Sequence, residues 1–252
     1  MTNNSFWADN MSLMPLIETK KFDLAKVDPP YFSGPEKRNY YGSSVSTTKV
    51  KRRFYSIEKT WELPTETHFE EIKRISKNQI VWGANYFEYF GEPFKTPRRE
   101  NIQEFMESHP TGWIIWDKVN GKSSFNDYEL AWSSYNEPTY IYQFMWNGFM
   151  QGKSMTEGHI QQGNKKLNQK RIHPTEKPIL WYKYFFNRYL EKGQSVIDPY
   201  LRGGSCRIPA YELGINLTGI ELNESMYKKQ DARFLEWKES YDLFNKINPK
   251  FI

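Results

Sequence analysis

The chain has 252 residues, 38% of them hydrophobic and 17% aromatic, which is ample for one large packed domain and excludes a disordered chain. Its single cysteine, Cys206, excludes an intrachain disulfide and a cysteine-based zinc site, and no apolar run reaches the roughly 18 residues that span a bilayer. A net charge of +5 suits a polyanionic partner, and the N-terminus lacks a secretory layout, so a cytoplasmic protein without membrane attachment is expected.

Taken in chain order, Ser5 to Ala8 reads as a short strand ending at Asp9-Asn10, and Ser12 to Ile17 as an irregular return. Phe22 to Val27 is an apolar run typical of a buried strand. It stops at Asp28-Pro29-Pro30-Tyr31, because proline lacks the next ladder N–H and holds its predecessor extended. A carboxylate, two carbonyls and an aromatic ring are thereby presented at a strand's C-terminal end, the edge where open α/β sheets bind ligands.

Residues 32–64 carry glycines, prolines and a Ser/Thr run and read as a long loop; loops of that length are usually functional or disordered. Thr65 to Lys77 has helical spacing with Thr65 as the cap, and Asn78 to Gly83 follows as a strand. Arg98 to His109 is a second helix, and Trp113 to Lys118, Tyr128 to Ser134 and Thr139 to Trp146 are β-rich runs. From Asn147 to Arg171 the apolar periodicity vanishes, which marks an inserted recognition segment within a single domain. The remainder alternates a helix over 176–190, a strand over 194–197, a helix over 205–213, a strand over 216–220 and a helix over 223–237. Such alternation predicts a mainly parallel, doubly wound α/β sheet.

The run Val196 to Ser205 combines a strand, a glycine turn and a helix start, and a second strand ends about twenty residues later at the acid Glu221. Glycines admit close backbone approach and the acid can hold two ribose hydroxyls. With neither G-x-G-x-x-G nor a G-K-[ST] ending, the unit suits a nucleoside cofactor rather than a dinucleotide or a bare phosphate. Upstream stands Ile172-His173-Pro174-Thr175-Glu176-Lys177-Pro178.

Asp28-Pro29-Pro30-Tyr31, then His173-Pro174-Thr175-x-Lys177-Pro178, then Asp198-Pro199-Tyr200, in that order, resemble the DNA amino-methyltransferases of the permuted β type. Trp82 to Phe87 and Trp113 to Lys118 are similar to stretches of phage-type members. The resemblance spans residues 9 to 237 and implies a Rossmann-like fold with a mostly parallel seven-stranded sheet and helices on both faces. It divides the single domain into a catalytic half (1–146) and a cofactor half (172–240), with 32–64 and 147–171 as inserted DNA-recognition loops.

The implied activity is site-specific methylation of DNA with S-adenosylmethionine, on adenine N6, since the Asp form of the tetrapeptide occurs mostly with that acceptor. Alternatives are a catalytically impaired DNA-binding or partner subunit, and a cytosine-N4 or RNA methyltransferase. Asp28, Pro29, Pro30 and Tyr31 are the implied catalytic residues. Asp9, Asn10, Thr175, Lys177, Asp198, Tyr200, Gly203, Gly204, Ser205 and Glu221 are the implied cofactor residues, with Asp9 at the adenine, Glu221 on the ribose and Asp198, Thr175 and Lys177 at the methionine end. Double-stranded DNA is the implied partner; a homodimer and a cognate restriction endonuclease are left open.

Two basic runs, Lys49, Lys51, Arg52, Arg53 and Lys165, Lys166, Lys170, Arg171, are candidates for phosphate contacts. Gln161, Gln162, Asn164 and Gln169 have the amide chemistry that reads adenine edges. Two departures stand out. Family members usually carry Gly-Ser-Gly where this chain has Arg202-Gly203-Gly204, so Arg202 either narrows the cofactor pocket or points to solvent. Lys26, inside the catalytic strand, must snorkel or find a partner.

Overall fold

A computed structural model describes residues 1–31, 62–120, 127–147, 150–173 and 175–247. The strands are β1 (Asn3–Trp7), β2 (Phe22–Val27), β3 (Ser76–Trp82), β4 (Trp113–Asp117), β5 (Tyr128–Ser133), β6 (Tyr140–Gln143), β7 (Trp146–Asn147), β8 (Met150–Gln151), β9 (Ser195–Asp198) and β10 (Asn216–Glu221). The α-helices are α1 (Asn10–Leu13), α2 (Glu66–Ile75), α3 (Ile102–Ser108), α4 (Ile179–Tyr189), α5 (Arg207–Glu212) and α6 (Glu224–Ile247).

Among the described residues, eight strands form one sheet in the order β1-β10-β9-β2-β3-β5-β4-β6. All neighbours are parallel except β5, which runs antiparallel to both β3 and β4. The sheet is therefore mostly parallel, as expected, but has eight strands rather than seven. The Thr139–Trp146 run supplies the eighth by pairing Tyr140–Gln143 in parallel with β4, at the sheet's edge. Its far end turns away and pairs with Met150–Gln151 in the short β7–β8 hairpin.

Each face of the sheet carries its own core. Leu24, Ile80, Trp82, Trp116 and Val196 meet the aromatic face of α4, where Trp181, Tyr182, Phe185 and Phe186 are buried. Ala25, Val27, Val81, Ile115 and Ile197 meet Phe69, Ile72 and Ile75 of α2 and Phe105 of α3. Alternate residues of one strand thus feed opposite cores, as a strand buried on both faces requires. Helix α2 starts where Thr65 predicts, with the Thr65 N–H donating to His68 Nδ1 at 3.1 Å. Helix α6 continues ten residues past its expected end. That extension carries the i,i+4 pair Lys238–Asp242 at 2.6 Å and exposed Leu243, Phe244 and Ile247.

The chain runs from β2 outward to β3 on one side and from β9 outward to β10 on the other, so the sheet's order reverses between β2 and β9. The crevice beyond the C-terminal ends at such a reversal is where doubly wound sheets bind ligands. Here Asp28 follows β2 and the glycine turn follows β9, one on each side of the crevice.

Candidate active site

Register builds the first contact. Ala25 lies opposite Ile197, which brings Lys26 beside Asp198, and their side chains meet at 2.6 Å, Lys26 5% and Asp198 1% exposed. Burial alone would discharge Lys26, but the Asp198 carboxylate outweighs it and keeps the ammonium firmly charged. Asp198 also accepts from the Tyr200 N–H at 3.1 Å and the Cys206 thiol at 3.2 Å. The buried lysine therefore finds a partner rather than snorkelling, and Asp198 braces the turn between β9 and α5.

Asp28 is 2% exposed. Its Oδ1 accepts from Lys177 Nζ and from the Tyr31 hydroxyl, both at 2.7 Å, and its Oδ2 accepts from Arg202 at 3.2 Å. Burial pushes this carboxyl up, yet the charges of Arg202, Lys177 and Lys26 prevail and hold it well below the usual carboxylate range. Lys177 reaches Asp28 because Glu176 and Lys177 precede α4 in extended chain; the helix begins at Ile179, three residues later than expected. The same ammonium lies 3.1 Å from Glu129 of β5, whose other oxygen meets Lys118 at 2.5 Å.

Tyr31 stacks on Tyr86 with ring centroids 5.7 Å apart. Gly83, at φ +68°, lies against the Tyr31 ring so closely that an added Cβ would sit 2.3 Å from two of its carbons. Trp82-Gly83 thus forms the floor under the tyrosine.

On the cofactor side, Glu221 accepts the N–H of Arg202 at 2.6 Å and of Asn223 at 2.9 Å, one on each oxygen. A carboxylate has about four acceptor positions, so each oxygen retains one for a further hydroxyl. Burial pushes the Glu221 carboxyl up. A cleft of about 1380 Å³ opens beside it, with Asp9, Asn10, Pro30, Tyr200, Arg202, Glu221 and Asn223 in its wall. Asn10 donates to the Pro199 carbonyl at 3.2 Å, while Asp9 caps α1 through the Met11 N–H at 2.6 Å.

The expected cofactor residues therefore divide. Asp9, Asn10, Tyr200 and Glu221 reach the cleft. Thr175, Lys177, Asp198, Gly203, Gly204 and Ser205 are not in its wall: Lys177 bonds Asp28, Thr175 bonds Arg202, Asp198 bonds Lys26 and Ser205 bonds Glu176. Gly204, at φ +62°, passes so near Gln230 that a Cβ would meet its Oε1 at 2.6 Å.

Arg202 does not point to solvent. From a left-handed backbone conformation (φ +51°) its side chain turns inward, 16% exposed. It donates to Asp28 Oδ2, to the Pro29 carbonyl at 3.0 Å and to the Thr175 hydroxyl at 2.8 Å.

Glu176 was absent from the expected set, although it stands inside the His173–Pro178 motif. It is 4% exposed. Its oxygens accept from the N–H groups of Ile172 and His173, from Ser205 and Gln169, and from Arg233 of α6. Glu176 thereby ties the motif, the glycine turn and α6 together. Glu129 was also missed, because a lone acid in a β-rich run carries no local signal.

Among the candidate DNA residues, Lys165, Lys166 and Lys170 are exposed, and the Arg171 guanidinium stacks 4.2 Å over Trp146. Gln169 is turned inward, its amide donating to Glu176 at 2.7 Å and accepting from the Ile179 N–H at 2.8 Å. Lys49, Lys51, Arg52 and Arg53 lie outside the described residues.

The DNA methylase family model matches residues 22–231. The chain belongs to the DNA methylase family. It is accordingly an S-adenosylmethionine-dependent DNA methyltransferase of the class that acts on amino groups. A curated relative, the type II methyltransferase M2.LlaDCHI of Lactococcus lactis subsp. cremoris, is 23% identical over 94% of this chain and 90% of its own length. Among solved structures, the M1.HpyAVI complex with S-adenosylmethionine is 14% identical with a TM-score of 0.46, covering 91% of this chain and 98% of that one. The cytosine-N4-specific PvuII DNA methyltransferase is 13% identical with a TM-score of 0.49, covering 93% and 86%.

Proposed function

We propose that the chain methylates the N6 amino group of a specific adenine in double-stranded DNA, after that base is flipped out of the helix. The observation that supports this reading is the pair of acceptors formed by Asp28 Oδ2 and the Pro29 carbonyl. A single planar guanidinium bridges them with two N–H groups. An exocyclic amine also offers two N–H groups, both on one nitrogen, to such a pair of acceptors.

The adenine amine is a poor nucleophile because its lone pair is delocalised into the ring. Two acceptors holding its N–H bonds favour a pyramidal nitrogen with its lone pair aimed away from the ring plane. Alignment and electrostatics, rather than a shifted base, then carry the step. Asp28 suits this work because it stays ionised. Tyr31, seated on Gly83 and Tyr86, offers an aromatic face for the extruded base, and base–aromatic stacking is worth about 1–3 kcal/mol.

S-adenosylmethionine supplies an electrophilic methyl group when bound. The cleft fits it: Glu221 keeps acceptor positions for a ribose diol, and Tyr200, Asn10 and Asp9 line the adjoining wall. The segment 147–171 presents Lys165, Lys166 and Lys170 to DNA phosphates. The preference for adenine rests on the Asp form of the tetrapeptide. Incubating unmodified DNA with the protein and S-adenosylmethionine, then digesting it to nucleosides, tests the reading: N6-methyl-2′-deoxyadenosine supports it, and N4-methyl-2′-deoxycytidine alone overturns it.

A further inference from the structure

The acceptor pair is already engaged. Lys177 and the Tyr31 hydroxyl share Asp28 Oδ1, which leaves Oδ2 and the Pro29 carbonyl for an incoming amine. Both of those are held by the two terminal nitrogens of Arg202. Arg202 and Pro30 line the cleft and Asp28 does not, so Arg202 contacts both the cleft and, through its guanidinium, the buried carboxylate. It does so from a left-handed backbone position that disfavours any residue with a side chain.

We propose that Arg202 is a displaceable occupant of the amine-acceptor position, holding the places of the target base's two N–H donors until the base exchanges with it. The inference rests on the assignment of Asp28 and Pro29 as the acceptors. It makes Arg202 a positioning residue with two effects. Without DNA, the guanidinium keeps the buried carboxylate paired and the acceptor pair ordered. With DNA, the flipped base must replace a charge-assisted contact with a neutral one, so Arg202 raises the threshold for admitting a base and disfavours incidental amines.

The test uses the full chain and follows transfer of a labelled methyl group from S-adenosylmethionine to duplex DNA over a range of DNA concentrations. Arg202→Gly also relieves the positive φ, and Arg202→Lys keeps the charge but loses the planar fork that spans both acceptors. The expected result is a roughly tenfold rise in kcat/KM for Arg202→Gly, carried by a lower KM for DNA, with Arg202→Lys between it and the parent. Millimolar guanidinium chloride, against sodium chloride of equal ionic strength, should then inhibit Arg202→Gly competitively with DNA and the parent far less. An unchanged or higher KM in Arg202→Gly, or guanidinium acting no differently from sodium chloride, overturns the proposal while methylation by the parent leaves the functional reading intact. No methyl transfer by the parent or either variant overturns the functional reading itself, and this inference with it.

Discussion

The ammonium of Lys177 and the carboxylate of Asp28 meet at 2.7 Å with side chains 4% and 2% exposed, 149 residues apart in sequence. The pair joins the two halves of the chain at the point where the sheet's order reverses. Removing one member of a buried pair leaves an uncompensated charge, which typically costs 3–5 kcal/mol, and Lys177 also serves Glu129. Lys177→Ala is expected to lose about 3 kcal/mol of stability in urea unfolding, with methyl transfer falling along with the order of Asp28. A loss below about 1 kcal/mol would place the pair among merely geometric contacts.

Glu221 tests the cofactor side. Its oxygens hold two backbone N–H groups and keep room for a ribose diol. Glu221→Ala is expected to weaken S-adenosylmethionine binding by at least roughly tenfold in calorimetry, about one charge-assisted hydrogen bond's worth. Unchanged affinity would remove the ribose assignment.

His173 predicts a pH dependence. Burial, and then the nearby Arg202 charge, push its imidazole down to about 3. The neutral ring accepts from the Thr175 N–H at 3.3 Å and pairs with its hydroxyl at 3.1 Å through Nδ1. The unfolded chain, with histidine near 6.5, binds this proton first as pH falls, so the contribution is complete above about 6.5 and is lost progressively toward 3. From pH 7.5 to 5 the protein should lose about 2 kcal/mol through this residue. Urea midpoints of the parent should fall over that range, and His173→Gln should fall distinctly less. Parallel losses would show that His173 is not held neutral.

Much of this was legible in the residues, for identifiable reasons. β2 begins and ends where its apolar run and prolines put it, because both faces of that strand are buried and a proline stop is local chemistry. Helix α6 outran its expected end because Leu243, Phe244 and Ile247 are exposed, so no buried stripe marks that extension. The run from Thr139 to Trp146 was legible as β, and the count of seven came from the family resemblance; what the run did not reveal is that it divides into an edge strand and a hairpin strand. Inside the site, motif residues could be named but not aimed. Asp198 and Glu221 have similar sequence settings, a strand end followed by a turn. Only the neighbouring strand's register shows that Asp198 meets Lys26, whereas Glu221 lines the cleft. The direction of Arg202 depends on its positive φ, which no residue pattern encodes for a side chain other than glycine.

On the proposed reading, Asp28 is the acceptor that orients the target amine, separate from the groups that hold the cofactor. The most direct measurement pairs methyl-transfer rate with S-adenosylmethionine affinity in Asp28→Ala, its folding confirmed by urea unfolding. Methylation is expected to fall below detection while the cofactor still binds through Glu221 and the cleft. Methyl transfer at the parent rate by folded Asp28→Ala would contradict it.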